Sequence, residues 1–375
     1  MYKVKILILM TLTLAAEMVT AQDEHKPLAR DYDQAIMKAI AYGISAPNAH
    51  NSQMWMIDTL SDHEMELYVN HNLPETDPPA RQVIISAGCF IELVKIGMSN
   101  EGYEIHVEYL PNGDFEIIPH EMSSKPLAKI KLIKSESVQK DPLYDFIYQR
   151  QSNRSKFKGK MIQSEEFEKI KEFTGETHSE MIFLNEKKLM SPYLDIFSKA
   201  MEIETRNKRT NEETRQWFRF GEKQISEKKD GLSLQANGMK GLLLKLAEKS
   251  LKTGDSVTWH SEKSVKAVVK NINKALYSSK ALIFFKTKTN NKTDWLKTGR
   301  DFARYNVAIA KLGLATSHYN QVIQEYSEMT ELRNEFNSMV QIEGDQKVQL
   351  ILRLGRADIL YKSWRRDVES FIIKQ

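Results

Sequence analysis

The chain has 375 residues, 41% of them hydrophobic, enough for one large core or two smaller ones. Charged residues make up 28%, mixed in sign with a formal net charge of only +4, which argues against wholesale disorder and against a general nucleic-acid-binding face. The single cysteine, Cys89, excludes an intrachain disulfide and a cysteine-built zinc or iron–sulfur cluster.

The first stretch reads as a processing signal. Lys3 and Lys5 give a positive n-region, Ile6 to Ala16 is a short apolar run, and Val19-Thr20-Ala21 offers small residues before a cut at Gln22. This matches a secretory signal peptide over residues 1–21 and implies an exported chain, periplasmic or extracellular. The alternative is an uncleaved N-terminal anchor, against which Glu17 argues. No Arg-Arg pair precedes the run, and no later segment reaches about 18 uninterrupted apolar residues, so stable membrane insertion after processing is not expected.

Asp31 can cap a helix running through Ile36, Met37 and Ile40 to Gly43. Loop chemistry follows from Ser45 to Asn51, and then Trp55-Met56-Ile57 and Met65-Glu66-Leu67-Tyr68-Val69 read as strands. Asp77-Pro78 starts a long helix that ends near Gly102 and is apolar on most sides from Val83 to Met98, so it should be buried. Ile105, Val107 and Tyr109 alternate, Pro111-Asn112-Gly113-Asp114 turns, and Phe115 and Ile117 alternate again, which predicts a hairpin. Residues 123–140 look like a seam between two halves, 22–138 and 139–375. Asp141 opens a helix to about Arg150. Residues 185–280 are mostly helical and heavily charged, from Arg206 to Lys229 above all, and read as a lid-like excursion rather than an independent domain. Ala281-Leu282-Ile283-Phe284-Phe285 and Val348 to Leu354 are buried-type strands, flanking a helix from Asp294 to Gly313. The fold class is α+β, with no regular sequence repeat and no alternating βαβ register.

Two segments can carry chemistry. Arg150-x-Ser152-x-Arg154, placed at a helix end, offers two guanidiniums and a hydroxyl to a phosphate. Taken alone it also fits basic residues serving a helix dipole. The loop Ala46-Pro47-Asn48-Ala49-His50-Asn51-Ser52-Gln53-Met54-Trp55 offers asparagine amides suited to the edge of a flat heteroaromatic ring, or simply forms a capped loop leading Trp55 into the core. His63 and His71 have no metal-ligand spacing, and no metal site is expected. His50 could approach a ligand or be a loop histidine. Trp259-His260 fits a helix-flanking pair better than a lid element, and Cys89 fits inert core.

Together these motifs resemble the nitroreductase family. The loop is similar to its Pro-Ser-x-x-Asn-x-Gln-Pro-Trp pattern, with Asn48 in place of serine and Met54 in place of proline. Asp77-Pro78 through Gly88 resembles the Asp-Pro…Ile-Ser-x-Gly segment of the Acg-like branch, in which two nitroreductase halves are fused in one chain. Asp294 to Gly299, Gly313-Leu314-Ala315, Leu352 to Gly355 and Arg365-Arg366 resemble that branch's later segments. The likeness runs over most of 34–371 and is weakest from about 185 to 280. In ordinary family members Arg-x-Ser-x-Arg precedes the Pro…Asn loop; here the order is reversed and neither motif is repeated.

The resemblance implies a nitroreductase-like α+β fold, a fused and monomeric pseudo-dimer with one FMN site at its internal interface. Arg150, Ser152 and Arg154 would hold the FMN phosphate and ribityl chain, and Arg365 or Arg366 would help neutralise the phosphate. Pro47, Asn48 and Asn51 would lie along the ring or ribityl, with Gly313 and Leu314 offering backbone near the ring. It implies an FMN-dependent oxidoreductase acting on an electron-poor small molecule, with NAD(P)H as a candidate donor stacked on the flavin. No Gly-x-Gly-x-x-Gly is present, and no residue is singled out as a catalytic acid or base. The second expectation is an exported flavin-binding or flavin-sequestering protein with little turnover.

Overall fold

Apolar–polar alternation builds the first strands where the sequence places them, β1 (Trp55–Ser61) and β2 (Glu64–Val69), joined by a tight turn. The structure is a computed structural model, and it describes residues 25–253, 256–359 and 361–373. Residues 1–21, expected to be a signal peptide, lie outside the described residues. Before β1 runs α1 (Ala35–Gly43), and after β2 come α2 (Arg81–Asn100), β3 (Tyr103–Tyr109), α3 (Pro119–Ser124) and β4 (Ala128–Lys134). The second half begins with α4 (Ser164–Thr174) and β5 (Glu180–Leu184). The helical excursion follows, as α5 (Lys187–Arg206), α6 (Lys208–Gln216), α7 (Gly221–Lys228), α8 (Gly241–Thr253), α9 (Ser256–Trp259) and α10 (Glu262–Leu276). The chain then returns through β6 (Ala281–Thr287), α11 (Lys292–Lys311), β7 (Ala315–His318), α12 (Thr330–Met339) and β8 (Lys347–Gly355).

The architecture is α+β, with two four-stranded antiparallel sheets in the orders β1-β2-β4-β3 and β5-β6-β8-β7. Each sheet takes its strands in the same relative order, and in each a 20-residue helix, α2 or α11, stands between the second strand and the third. The two halves thus repeat one topology. The excursion is an insertion between the first and second strands of the second half, where the first half has only the β1–β2 turn.

Helices α2 and α11 cross at the centre of the molecule. Gly88 and Gly299, each the eighth residue of its helix, meet there. A Cβ added to Gly88 would lie 2.0 Å from Leu296 O, and one added to Gly299 would lie 2.0 Å from Ile85 O. Backbone touches backbone only because neither residue has a side chain. One apolar cluster spans both halves around this crossing, from Trp55 and Phe90 to Phe285, Phe302 and Tyr305. A second lies on the other face of the second sheet, where Phe284 and Ile351 meet Phe197 of α5 and Phe336 of α12. Strand β6 is therefore buried on both faces, as its unbroken apolar run implied.

Several local expectations are corrected. Helix α1 starts after Gln34, while Asp31 sits in a short 3-10 turn and accepts from Leu28 N at 3.0 Å. Gly43 is the last residue of α1 and not a left-handed residue beyond it; glycine stands there because the Phe90 ring lies where its Cβ would be. Helix α2 begins at Arg81, with the Asp77 carboxylate reaching Val83 N at 3.1 Å. Its expected burial holds: it is apolar and long enough to cross a membrane, yet it is wrapped by protein. Phe115 and Ile117 form no strand; β3 pairs with β4, inside the stretch expected to be a seam. Asp114 explains part of this, because it bonds Phe115 N and Lys292 Nζ and pins the loop to α11. Residues 141–150 form only a 3-10 turn at Tyr144–Phe146. Asn291, not Asp294, caps α11; Asp294 closes a capping box with it.

Candidate functional site

The Pro47–Trp55 loop holds an unusual backbone. His50, Asn51 and Gln53 all have left-handed φ, at 52°, 53° and 50°. Three such non-glycine residues in one short segment store strain that the surroundings must hold. Arg365 supplies much of the restraint: Nε donates to Ile44 O at 2.8 Å, one terminal nitrogen to Asn51 Oδ1 at 2.6 Å and the other to Ala46 O at 3.2 Å. Gln53 takes Arg366 N at 2.9 Å through its side-chain oxygen and donates to Lys229 O at 2.7 Å. The Arg366 guanidinium also donates to Gln53 O. Asn48 braces the loop internally, accepting from Gln53 N at 2.9 Å and donating to Ala46 O at 3.2 Å.

Across a cleft from this loop lies the Arg150–Arg154 segment. It sits in extended chain, not at a regular helix end, so the helix-dipole explanation of its arginines falls away. Residues 152–153 are held beside β7 by a bridge between Ser152 and Thr316 and by Asn153 N donating to Thr316 O at 2.7 Å. Arg353, fully buried on β8, donates to Asn153 O at 3.0 Å and Ser155 O at 2.7 Å, with its guanidinium 3.8 Å from the centre of the Phe157 ring. Arg150 bridges both halves, donating from Nε to Asn306 Oδ1 of α11 at 2.6 Å and from a terminal nitrogen to Ser45 O at 2.9 Å.

The cleft encloses about 810 Å³ of empty space, counted to its open mouth. Five cations line it, Lys26, Arg150, Arg154, Lys362 and Arg365, and no carboxylate does among the described residues. Desolvation pulls Arg150 down to about 10 and Arg365 down to about 9, with the Arg150 charge depressing Arg365 further. Arg154 is exposed and opens onto the cleft, and desolvation by the cleft walls lowers it as well. Neither its guanidinium nor the Ser152 hydroxyl has a protein hydrogen-bond partner among the described residues. Burial, with the Arg154 charge adding to it, lowers His50 to about 4 and His318 to about 3, so both flank the cations as neutral rings at pH 7. A cavity in which the buried Arg365 and the unpartnered Arg154 guanidinium converge with further cations is suited to bind an anion.

Of the residues singled out in the sequence, Pro47, Asn48, Asn51, Arg150, Ser152, Arg154 and Arg365 line this one cleft. Arg366, Gly313 and Leu314 do not. Arg366 backs the loop and lies 4.6 Å over the Phe371 ring. Gly313, at φ 65°, and Leu314 end α11 with Gly313 N on Ala310 O and Leu314 N on Ile309 O, a helix cap. Asn51 is fully engaged: its amide nitrogen donates to Gly231 O at 3.1 Å and Trp364 O at 3.2 Å. Sequence reasoning missed Lys26, Lys362, Arg353, Asn306 and His318. The two lysines converge on Tyr148 O, at 3.3 and 2.6 Å. No motif marks residues that far apart in the chain.

The excursion closes one wall of the cleft with Leu232 and Ala236. Gly231 N donates to Asn51 O at 3.0 Å, and His50 Nε2 pairs with Thr214 Oγ1 at 3.3 Å. Its outer helices are rooted in the second core through Leu194, Phe197 and Leu276. Trp259 and His260 serve structure, bonding Asn211 and Glu212 of α6 at 2.8 Å each.

No protein-family model matches the chain. The uncharacterized proteins MT3212 and Rv3127 of Mycobacterium tuberculosis are each 31% identical over 81 residues, 20% of this chain and 24% of theirs. The match thus spans about a quarter of the length of these curated relatives. Among solved structures, a BluB-like flavoprotein from Clostridium difficile 630 aligns with TM-score 0.36 and 15% identity, covering 62% of this chain and 98% of its own. A nitroreductase with bound FMN from Bacteroides fragilis gives 0.30 and 12%, covering 58% and 89%. The FMN-dependent nitroreductase NfnB from Mycobacterium smegmatis, in complex with NADPH, gives 0.31 and 12%, covering 56% and 84%. Likenesses this distant transfer no function, and the reading of the site rests on its own geometry.

Proposed function

We propose that the cleft holds FMN and that the protein is an FMN-dependent, nitroreductase-like oxidoreductase reducing an electron-poor small molecule. The observation that carries this reading is the unpartnered Arg154 guanidinium and Ser152 hydroxyl in a cleft lined by five cations and, among the described residues, no carboxylate. That donor set fits a phosphate monoester, and Asn306, outside the cleft lining, holds Arg150 Nε in place. Arg154 and Ser152 would take the phosphate. Arg150 and Arg365, already oriented by carbonyls and amides, would add charge without moving. Pro47 and Asn48 would face the ring or ribityl. Bound flavin supplies hydride and electron transfer; this chain's residues bind it, orient it and exclude water.

NAD(P)H is the proposed donor. The repeated topology and the Gly88–Gly299 crossing support a fused pseudo-dimer with halves 22–138 and 139–375, one FMN site per chain and no need for a second subunit. The likeness to the Acg-like branch and export after cleavage of residues 1–21 belong to the same proposal. A second reading is an exported flavin-binding protein with little turnover. The excursion favours it, because Leu232 and Ala236 wall the cleft and Gly231 and Lys229 tie that wall to the site loop.

An absorbance spectrum of protein reconstituted with FMN, taken before and after anaerobic addition of NADH or NADPH, tests the proposal. An oxidoreductase gives a flavin band that bleaches, and a flavin store gives a band that persists. Protein that stays colourless after added FMN contradicts both.

A further inference from the structure

Helix α8, Gly241–Thr253, carries its leucines on two sides. Leu244, Ala247 and Leu251 are half-buried and form the face toward the protein. Leu242 and Leu243 are each 73% exposed and Leu246 is 57% exposed. At about 100° per residue these three share the opposite face, within an arc of roughly 100°. No other element among the described residues exposes three large apolar side chains on one face. Solvent gives no reason to select leucine there.

The surrounding charge says what would cover it. Lys240 precedes the helix, and Lys245, Lys249 and Lys252 lie within it. Lys240, Lys245 and Lys249 are exposed. The helix's one acid, Glu248, turns to Gly221 N at 3.1 Å. Exposed leucines ringed by lysines are the composition of a helix lying in the interface of an anionic bilayer, with apolar groups at the acyl boundary and ammoniums on lipid phosphates.

We propose that the outward face of α8 is a peripheral docking surface for an anionic lipid bilayer. The test places a polarity-sensitive dye on Leu243→Cys in the full chain; the native Cys89 is buried and stays unlabelled. Vesicles of mixed phosphatidylglycerol and phosphatidylcholine should shift the emission to the blue. Raising the salt or using pure phosphatidylcholine should abolish the shift. Adding Leu242→Ser and Leu246→Ser should weaken vesicle partitioning read by the dye at least tenfold, and each Lys→Gln among Lys245 and Lys249 should weaken it about fivefold. The same dye on Ser137→Cys, an exposed site in the first half, should not shift. The proposal is overturned by no shift with anionic vesicles, by an equal shift at Ser137, or by a vesicle-independent shift that grows with protein concentration, which would make the occupant a second copy of the chain.

Discussion

Replacing Gly88 by alanine should loosen the joint between the two halves. The new methyl would stand 2.0 Å from Leu296 O, 2.8 Å from Leu296 C and 3.0 Å from Gly299 Cα. The obstacle is backbone, so no side chain can rotate away, and α2 and α11 must part by about 1 Å in a close-packed interior. Overpacking of this kind costs about 1–3 kcal/mol, and a backbone obstacle puts it at the upper end. Alanine's better helix propensity returns about 1 kcal/mol. The net loss is about 2 kcal/mol, a fall in Tm of about 2–3 °C for a chain of this size. Gly299→Ala should do the same, because its methyl meets Ile85 O at the same distance. The double variant should cost clearly less than the sum, since one separation of the helices accommodates both methyls. Thermal and urea unfolding of the four proteins measures this. Unchanged stability in either single variant, or strict additivity in the double, would refute backbone contact at the crossing.

Arg365→Lys keeps the charge but loses the planar fork on Ile44 O, Ala46 O and Asn51 Oδ1. It should cost about 2–3 kcal/mol in urea unfolding and make the 47–55 loop sensitive to protease. Glu213 is buried and accepts from Glu75 N, Thr76 N and Thr76 Oγ1, so Glu213→Ala should cost about 3 kcal/mol, with Glu213→Gln in between. His50 is held down at about 4 by burial and by Arg154. Between the ordinary histidine value and about 4 the unfolded chain therefore binds more protons. The His50 contribution is full above pH 6.5 and is lost as pH falls through that window. His50→Asn, which tolerates the left-handed backbone, should flatten part of the loss; Asp77 and Glu204, both raised to about 7 by burial, act with the opposite sign and are common to both proteins. Equal acid sensitivity in denaturation at pH 7 and pH 5 would count against a buried neutral His50.

Much of the framework is legible in the chain because periodicity reports burial. Strands β1, β2, β6 and β8 and helices α2 and α11 follow from it, as does the helical excursion. The repeated topology is not legible from periodicity; only the resemblance to a family branch with two fused halves implied it. The first half joins its first two strands by a turn, whereas the second half inserts α5–α10 at that point, and the partner of β3 lies beyond a loop that mimics a hairpin. Cleft-lining residues carried by short motifs, Arg150, Ser152 and Arg154 among them, were readable as candidates by chemistry and order. Lys26, Arg353 and Lys362 were not, since each acts through a contact made only by folding. Gly313 and Leu314 show the converse: a motif position can be occupied by residues whose local work is to cap a helix.

FMN binding at Arg154 is the most direct test of the proposed function. Titrating the apoprotein with FMN, followed by flavin fluorescence quenching, should give one site per chain. Arg154→Ala should weaken it by about 2 kcal/mol or more, roughly thirtyfold, with urea unfolding unchanged, because the guanidinium bonds nothing in the protein. Wild-type protein that does not bind FMN, or an Arg154→Ala variant that binds it equally well, would contradict the account.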